Sequence, residues 1–224
     1  MAEHDHDHDH TDHEHDHAGH EHGEHEHGEH EHGEHEHAPD DAERREADAE
    51  LEREARRLVA LARIRQYGDP VLRMKARDVE TYDADLRRLA ERMTALMHEA
   101  QGVGLAATQV GVLRRLFVFA EDGEDRVIVN PVITARSDET EVDDEGCLSL
   151  REVLVPVERP CRVTIEGTDA SGEPVRFELE LPAARIVQHE LDHLDGILII
   201  DRTDEESRRG ALARLRPQPV LGVR

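Results

Sequence analysis

Residues 188–196 read Gln-His-Glu-Leu-Asp-His-Leu-Asp-Gly and carry the strongest chemical signal in the chain. His189 and His193 are four positions apart, so on a helix they project from one face, close enough to ligate one metal ion. Glu190 stands beside the first histidine, where its carboxylate meets water at the metal rather than the metal itself. This is the His-Glu-x-x-His arrangement of metallohydrolases. Ile186, Val187, Leu191 and Leu194 supply an apolar helix around it. The pattern alone is weak, because His13-Glu14-His15-Asp16-His17 matches it too, in a stretch with no apolar periodicity. A catalytic site of this type commonly takes three protein ligands and keeps one position open. Cys147, within Glu145-Gly146-Cys147-Leu148-Ser149, is the candidate third ligand. A thiolate suits a transition metal, and Gly146 permits close backbone approach. The plainer reading leaves Cys147 as a small buried hydrophobe and the two histidines on a helix surface. Cys161 has no comparable setting and reads as core or edge filler. His98, near the end of a helix, reads as a structural residue.

A third segment, Gly102-Val103-Gly104-Leu105-Ala106-Ala107-Thr108-Gln109-Val110-Gly111, is rich in small residues. It is not a dinucleotide motif, since Ala107 stands where the last glycine belongs and a helix rather than a strand leads into it. Small side chains let a ligand approach backbone closely, and Gln109 could aim an amide at a reacting oxygen. A plain helix exit and turn is the alternative.

The elements that must position these residues follow from periodicity. Residues 41–63 form an expected helix, acids leading and arginines trailing, with a thin apolar stripe at Leu51, Leu58, Val59 and Leu61. Tyr67-Gly68-Asp69-Pro70 is a turn. Residues 83–100 form an amphipathic helix through Leu86, Leu89, Met93 and Leu96 or Met97, ended by Gly102 and Gly104. Residues 113–119 and 126–132 flank Glu121-Asp122-Gly123 as one hairpin, and residues 161–168 and 175–181 make a second. Pro182 opens the helix carrying the histidine pair, and Gly196 closes it. A short apolar segment, 197–200, and a last small helix, 204–215, follow. The class is α+β: antiparallel strands packed around a central helix carrying the His-Glu-x-x-His motif.

Charge divides the chain. It has 224 residues, 53 acids, 28 bases and 18 histidines, but residues 1–37 hold 15 of those histidines, 14 of the acids and no Lys or Arg. Residues 23–37 are three copies of Gly-Glu-His-Glu-His. With only Met1, Ala2 and Ala18 apolar, this stretch cannot offset the entropy of folding by burial. Three parts are expected: a disordered His-rich acidic tail at 1–38, an extension helix at 39–63 and a metallohydrolase domain at 64–224. Imidazoles on a flexible acidic chain bind several transition metals weakly, so the tail is expected to buffer or supply metal. A solubilising role is the alternative. The acidic balance excludes a nucleic-acid binder. Two cysteines exclude a disulfide scaffold, and no apolar run is long enough for a membrane span. No signal peptide is visible, so a cytoplasmic protein is expected.

Together, residues 102–109, 145–149 and 188–193 resemble, in order and approximate spacing, the three motifs of the peptide deformylases. Tyr67-Gly68-Asp69-Pro70-Val71-Leu72-Arg73 and Val129-Asn130-Pro131 extend the resemblance over about Ile64 to Thr203. The resemblance implies a divalent metal on Cys147, His189 and His193, with Fe²⁺ favoured and Zn²⁺, Ni²⁺ or Co²⁺ able to replace it. It implies hydrolysis of the formyl group from the formylmethionine end of nascent peptides, with release of formate. Glu190 would be general base and then acid. The Leu148 N–H and Gln109 amide would stabilise the developing oxyanion, together with the metal. Gly104 would hydrogen-bond an extended peptide, and Val103, Leu148, Ile186 and His189 would border the methionine side chain. A monomer is expected, with a place near the ribosome and no nucleic-acid or membrane partner. One departure stands out: Arg151 occupies a position where the family commonly has proline. A metal-dependent amidase for another small acyl amide, and a catalytically dead metal-storage or sensing protein, are the competing readings. The intact Glu190 speaks against the second.

Overall fold

In a computed structural model of the protein, residues 41–216 are described. The expected tail therefore lies outside the described residues.

Strand β2 (Leu116–Glu121) organises the layers, because its first four residues are all buried and alternate between two faces. Leu116 and Val118 join Met93, Leu96 and Met97 of helix α2 (Ala84–Glu99) in one cluster. Phe117 and Phe119 join Val187 and Leu194 of helix α3 (Ala183–Leu194) in another. Each such side chain, removed from water, contributes about 2 kcal/mol. The sheet that carries β2 is antiparallel, in the order β1 (Gly104–Ala106), β2, β3 (Glu124–Arg136), β6 (Arg162–Thr168), β7 (Pro174–Glu180). The β2–β3 connection is a tight turn at Asp122 and Gly123, both at positive φ (50° and 79°), a pairing with Glu121 opposite Glu124. Both expected hairpins are present.

A second sheet was not anticipated. Strands β4 (Thr140–Cys147) and β5 (Leu150–Pro160) form a two-stranded hairpin. β4 carries a run of acids around a single apolar Val142, itself exposed, so hydrophobic patterning gives no strand signal there. Val153, Val155 and Val157 of β5 turn inward onto Leu198, Ile199, Ile200 and Ala211, the last from helix α4 (Glu205–Leu215). Helix α3 contacts β1, β2, β5 and β7, so it lies between the main sheet and the hairpin. The α+β class with a central motif-bearing helix is thus the observed architecture.

Helix boundaries follow local chemistry. The Asp83 carboxylate accepts from the Leu86 N–H at 2.9 Å and caps α2. At the other end it is Gln101, not a glycine, that takes the left-handed conformation (φ 57°), while Gly102 N–H reaches back to the Met97 carbonyl at 2.8 Å. After α3, Gly196 (φ 75°) passes so close to the Arg73 carbonyl, 2.7 Å from where a Cβ would sit, that a side chain would displace backbone. Helix α1 (Asp41–Ala62) buries only its last turn: Ala60 and Leu61 are covered, as is Ile64 beyond it. An Arg63–Glu99 ion pair at 3.1 Å ties that end to α2.

Candidate metal centre and active site

The ligand atoms of Cys147, His189 and His193 lie within 4.8 Å of one another. Cys147 Sγ is 3.2 Å from His193 Nε2, and the two imidazoles stack edge to face at 4.9 Å. Helix α3 supplies the histidines one turn apart; the end of β4 supplies the cysteine. His189 Nδ1 lies 3.0 Å from Glu145 Oε2, which leaves its Nε2 free to ligate. His193 is 1% exposed, and its Nδ1 has no hydrogen-bond partner among the described residues. One cysteine sulfur and two imidazole nitrogens on one partly buried spot are the donor set of a borderline transition cation. The residues fit such a group, and they define a single divalent-metal site.

Behind it runs a chain of charges, buried up to its exposed end at Arg202, that sequence reasoning missed. Arg159 grips Glu145 with two bonds, Nε at 2.9 Å and Nη2 at 3.0 Å, while Arg185 Nη1 donates to the same carboxylate at 3.1 Å. Arg159 Nη1 also donates to Asp192 at 2.6 Å, and Asp192 accepts from Arg202 at 2.5 and 3.0 Å. Glu145 and Arg159 are 5% and 4% exposed, so each depends on the other to offset lost hydration. The signal for Glu145 was present: it lies two residues before Cys147 on the same strand, hence on the same face. Arg159 has no such signal, since only the β4–β5 pairing brings it near.

Two carboxylates beside the metal site are tuned in opposite directions. Burial pushes Glu145 up, but His189 and Arg159 outweigh it and hold its pKa at about 2. Burial, with Glu145's charge added, lifts Glu190 to about 7 against the pull of His189. Glu190 Oε2 is buried without a partner among the described residues. A Cβ at Gly104 would fall onto the Glu190 carboxylate, so any other residue there would displace it. For His189, burial disfavours the cation, yet Cys147 and Glu145 raise its pKa well above the ordinary value. Burial and the neighbouring His189 push His193 well below it.

Gln109 is 1% exposed and held at both ends of its amide. Its Oε1 accepts from the Ala106 N–H at 2.8 Å; its Nε2 donates to Ser149 Oγ at 3.2 Å and faces Cys147 Sγ at 3.8 Å. The chain before α2 latches these loops in place. Arg65 N–H donates to the Gln109 carbonyl (2.7 Å), Gln66 Nε2 to the Leu148 carbonyl (3.1 Å) and Tyr67 N–H to the Ser149 carbonyl (2.8 Å). Cys147, His189 and Glu190 border one cavity of about 760 Å³, which Gln109 and Leu148 also line. Val103, Gly104 and Ile186 line it too, so the structure gathers every residue singled out from the three motifs. His98 and Cys161 stand apart from it. His98 Nε2 pairs with Asp125 at 2.7 Å, and Cys161 is a partly buried free thiol beside β6.

A helix-borne His-Glu-x-x-His pair completed by cysteine, with a buried carboxylate next to an open sheet edge, defines a metal-dependent amide hydrolase. Residues 61–209 match the family model for polypeptide deformylase. The chain belongs to that family. It is 47% identical over 146 residues to the peptide deformylase of Thermotoga maritima, covering 65% of this chain and 89% of that one. Its identity to the enzyme of a Parafrankia species is 45% over 168 residues, covering 71% and 92%. Among solved structures, that of the T. maritima peptide deformylase superposes with a TM-score of 0.62 over 63% of this chain and 97% of that one, again at 47% identity. One from Legionella pneumophila gives 0.65 at 37% identity, over 68% and 91%.

Proposed function

We propose how these residues divide the work of the reaction this enzyme catalyses: hydrolytic removal of the N-formyl group from the formylmethionine end of newly made polypeptides, releasing formate. The observation that carries the assignment is the Glu190 carboxylate, which follows the ligand His189 in sequence, borders the same cavity as Cys147 and His189, and has its Oε1 against Gly104 and its buried Oε2 without a partner among the described residues. A divalent cation held by those three residues supplies Lewis acidity, activating water and polarising the formyl carbonyl. Glu190 takes the proton of the attacking water and returns it to the leaving amine, a shuttle suited to a carboxyl with a pKa of about 7. The Gln109 amide, already aimed at Cys147, donates to the oxygen on which charge develops, and the Leu148 N–H joins it. Gly104 hydrogen-bonds the extended peptide from the edge of the sheet. Val103, Ile186 and His189 border the methionine side chain.

The metal is Fe²⁺ in this reading, with Zn²⁺, Ni²⁺ or Co²⁺ as substitutes. Residues 1–38 form a metal-gathering tail, 39–63 an extension and 64–224 the catalytic domain. The tail's 15 histidines bind further transition ions weakly and raise their local supply. Among the described residues no helix is long and apolar enough to cross a membrane. The enzyme works in the cytoplasm as a monomer, near the ribosomes that release its substrate, without contacting nucleic acid. Formate release from formyl-Met and acetyl-Met peptides, measured anaerobically on iron-loaded protein, tests the activity. Formate from the first and no acetate from the second is expected; no formate would reject it.

A further inference from the structure

The cleft has a wall that the three motifs do not account for. The family match begins at Leu61, yet Glu54, Arg57 and Leu58 of α1 line the same cavity as Cys147 and Glu190. With Leu61 they recur at 54, 57, 58 and 61, the spacing that places side chains on one face of a helix. That face is held in position. Leu61 and Ile64 are buried in the core, and the chain just beyond them is bonded to the loops carrying Gln109 and Ser149.

Apolar surface converges on the same opening. Eight large apolar side chains are exposed among the described residues, and three of them line this cavity: Leu58 (52%), Val103 (58%) and Leu154 (65%). They come from α1, the loop before β1, and β5. Scattered exposed apolar residues need no explanation, but three from separate elements around one mouth form a contact surface. β1 is the outer strand of its sheet, so its free edge can receive an extended chain rising about 3.3 Å per residue. Residues 101–103, which precede that strand, also line the cavity.

We propose that α1 is the outer wall of the substrate cleft and that Leu58 contacts apolar side chains two or three residues beyond the formylmethionine. Peptides with leucine or phenylalanine there are preferred over peptides with small polar residues. This rests on the deformylase reading and adds a residue outside the family match to the peptide-binding surface.

The test compares kcat/KM for formyl-Met-Ala-Leu-Leu with that for formyl-Met-Ala-Ser-Ser, using the full metal-loaded chain. Leu58→Ser is expected to reduce the ratio of the two about fivefold, through KM of the leucine peptide. Val59→Ser, on the same helix but outside the cavity lining, leaves both values unchanged and shows that a serine in α1 is tolerated. An unaltered ratio in Leu58→Ser, or an equal fall on both peptides, overturns the proposal while leaving deformylation standing. No formate from either peptide with the unsubstituted protein overturns both.

Discussion

Glu145 and Glu190 are the same chemical group in the same buried neighbourhood, and their surroundings give them opposite properties. Glu145 is clamped by Arg159, Arg185 and His189 and stays charged, whereas Glu190 has burial raising its pKa and one oxygen left open. Environment separates two carboxylates into a fixed counter-charge and, in the proposed mechanism, a proton carrier. Replacing Glu190 with alanine is expected to leave metal content intact and to lower formate release by about a hundredfold or more. Metal analysis and turnover on the same preparation check this, and undiminished turnover would remove Glu190 from its role. Glu145→Gln keeps the shape but weakens the hold on His189. Metal affinity, measured by competition with a chelator, is expected to fall by about 10- to 100-fold. Equal affinity would show that Glu145 does not position the ligand.

At the scale of elements, the segment after α3 packs against the β4–β5 hairpin, whose residues border the site. Asp201, at the end of a short 3₁₀ turn (Ile199–Asp201), accepts from the Leu198 N–H at 2.9 Å and pairs with Arg73 and Arg208. Burial works against its ionisation, but Arg73 and the Leu198 N–H outweigh it and hold its carboxyl below the ordinary range. A depressed folded-state pKa contributes stability that is fully present above the unfolded value, about 4, and is lost as pH falls through the lower folded value. Asp201→Asn is expected to cost about 1 kcal/mol at neutral pH, discounted for solvent screening of a partly exposed pair. The gap between variant and parent should close below about pH 4. Urea midpoints from pH 7 to pH 2 read this directly, and a gap that persists unchanged at low pH would discount the Arg73 pairing. Arg159 works on a different footing, since its removal takes the bidentate partner from buried Glu145, leaving it Arg185 and His189, and leaves Asp192 only Arg202. Arg159→Ala is expected to destabilise by about 3–5 kcal/mol in denaturant unfolding. A loss under about 1 kcal/mol would mean that water reaches the pair.

For the whole molecule, the issue is how an acidic, histidine-dense stretch serves an enzyme whose remaining 187 residues contain only three histidines. Two of those three, His189 and His193, hold the catalytic metal site. A chain beginning at Pro39 is expected to retain one tightly bound equivalent of metal, while the full chain binds several more with lower affinity. At limiting metal the full chain should recover activity faster. Identical stoichiometry and identical recovery in the two would exclude metal supply as the tail's work.

Spacing along the chain determined a good deal. The four-residue interval of His189 and His193, the apolar positions around it and the apolar face of α2 are local relations, and local relations are legible in a sequence. Both hairpins of the main sheet were legible for the same reason, since alternation and turn residues lie within a few positions of each other. Cys147 was legible as a candidate by residue type, but its nearness to His193 depends on the end of β4 meeting α3. Tertiary structure alone decided the rest. Strand β4 is too acidic to announce itself. Arg159 reaches Glu145 only across the hairpin, and Asp192 and Arg202 join through packing between separate elements. The docking of α1 against the cleft is of the same kind: its thin stripe was visible, but which surface it faces depends on Leu61 and Ile64 burying in a core assembled from distant residues. Periodicity specifies which face of an element is apolar; only the folded chain specifies what that face meets.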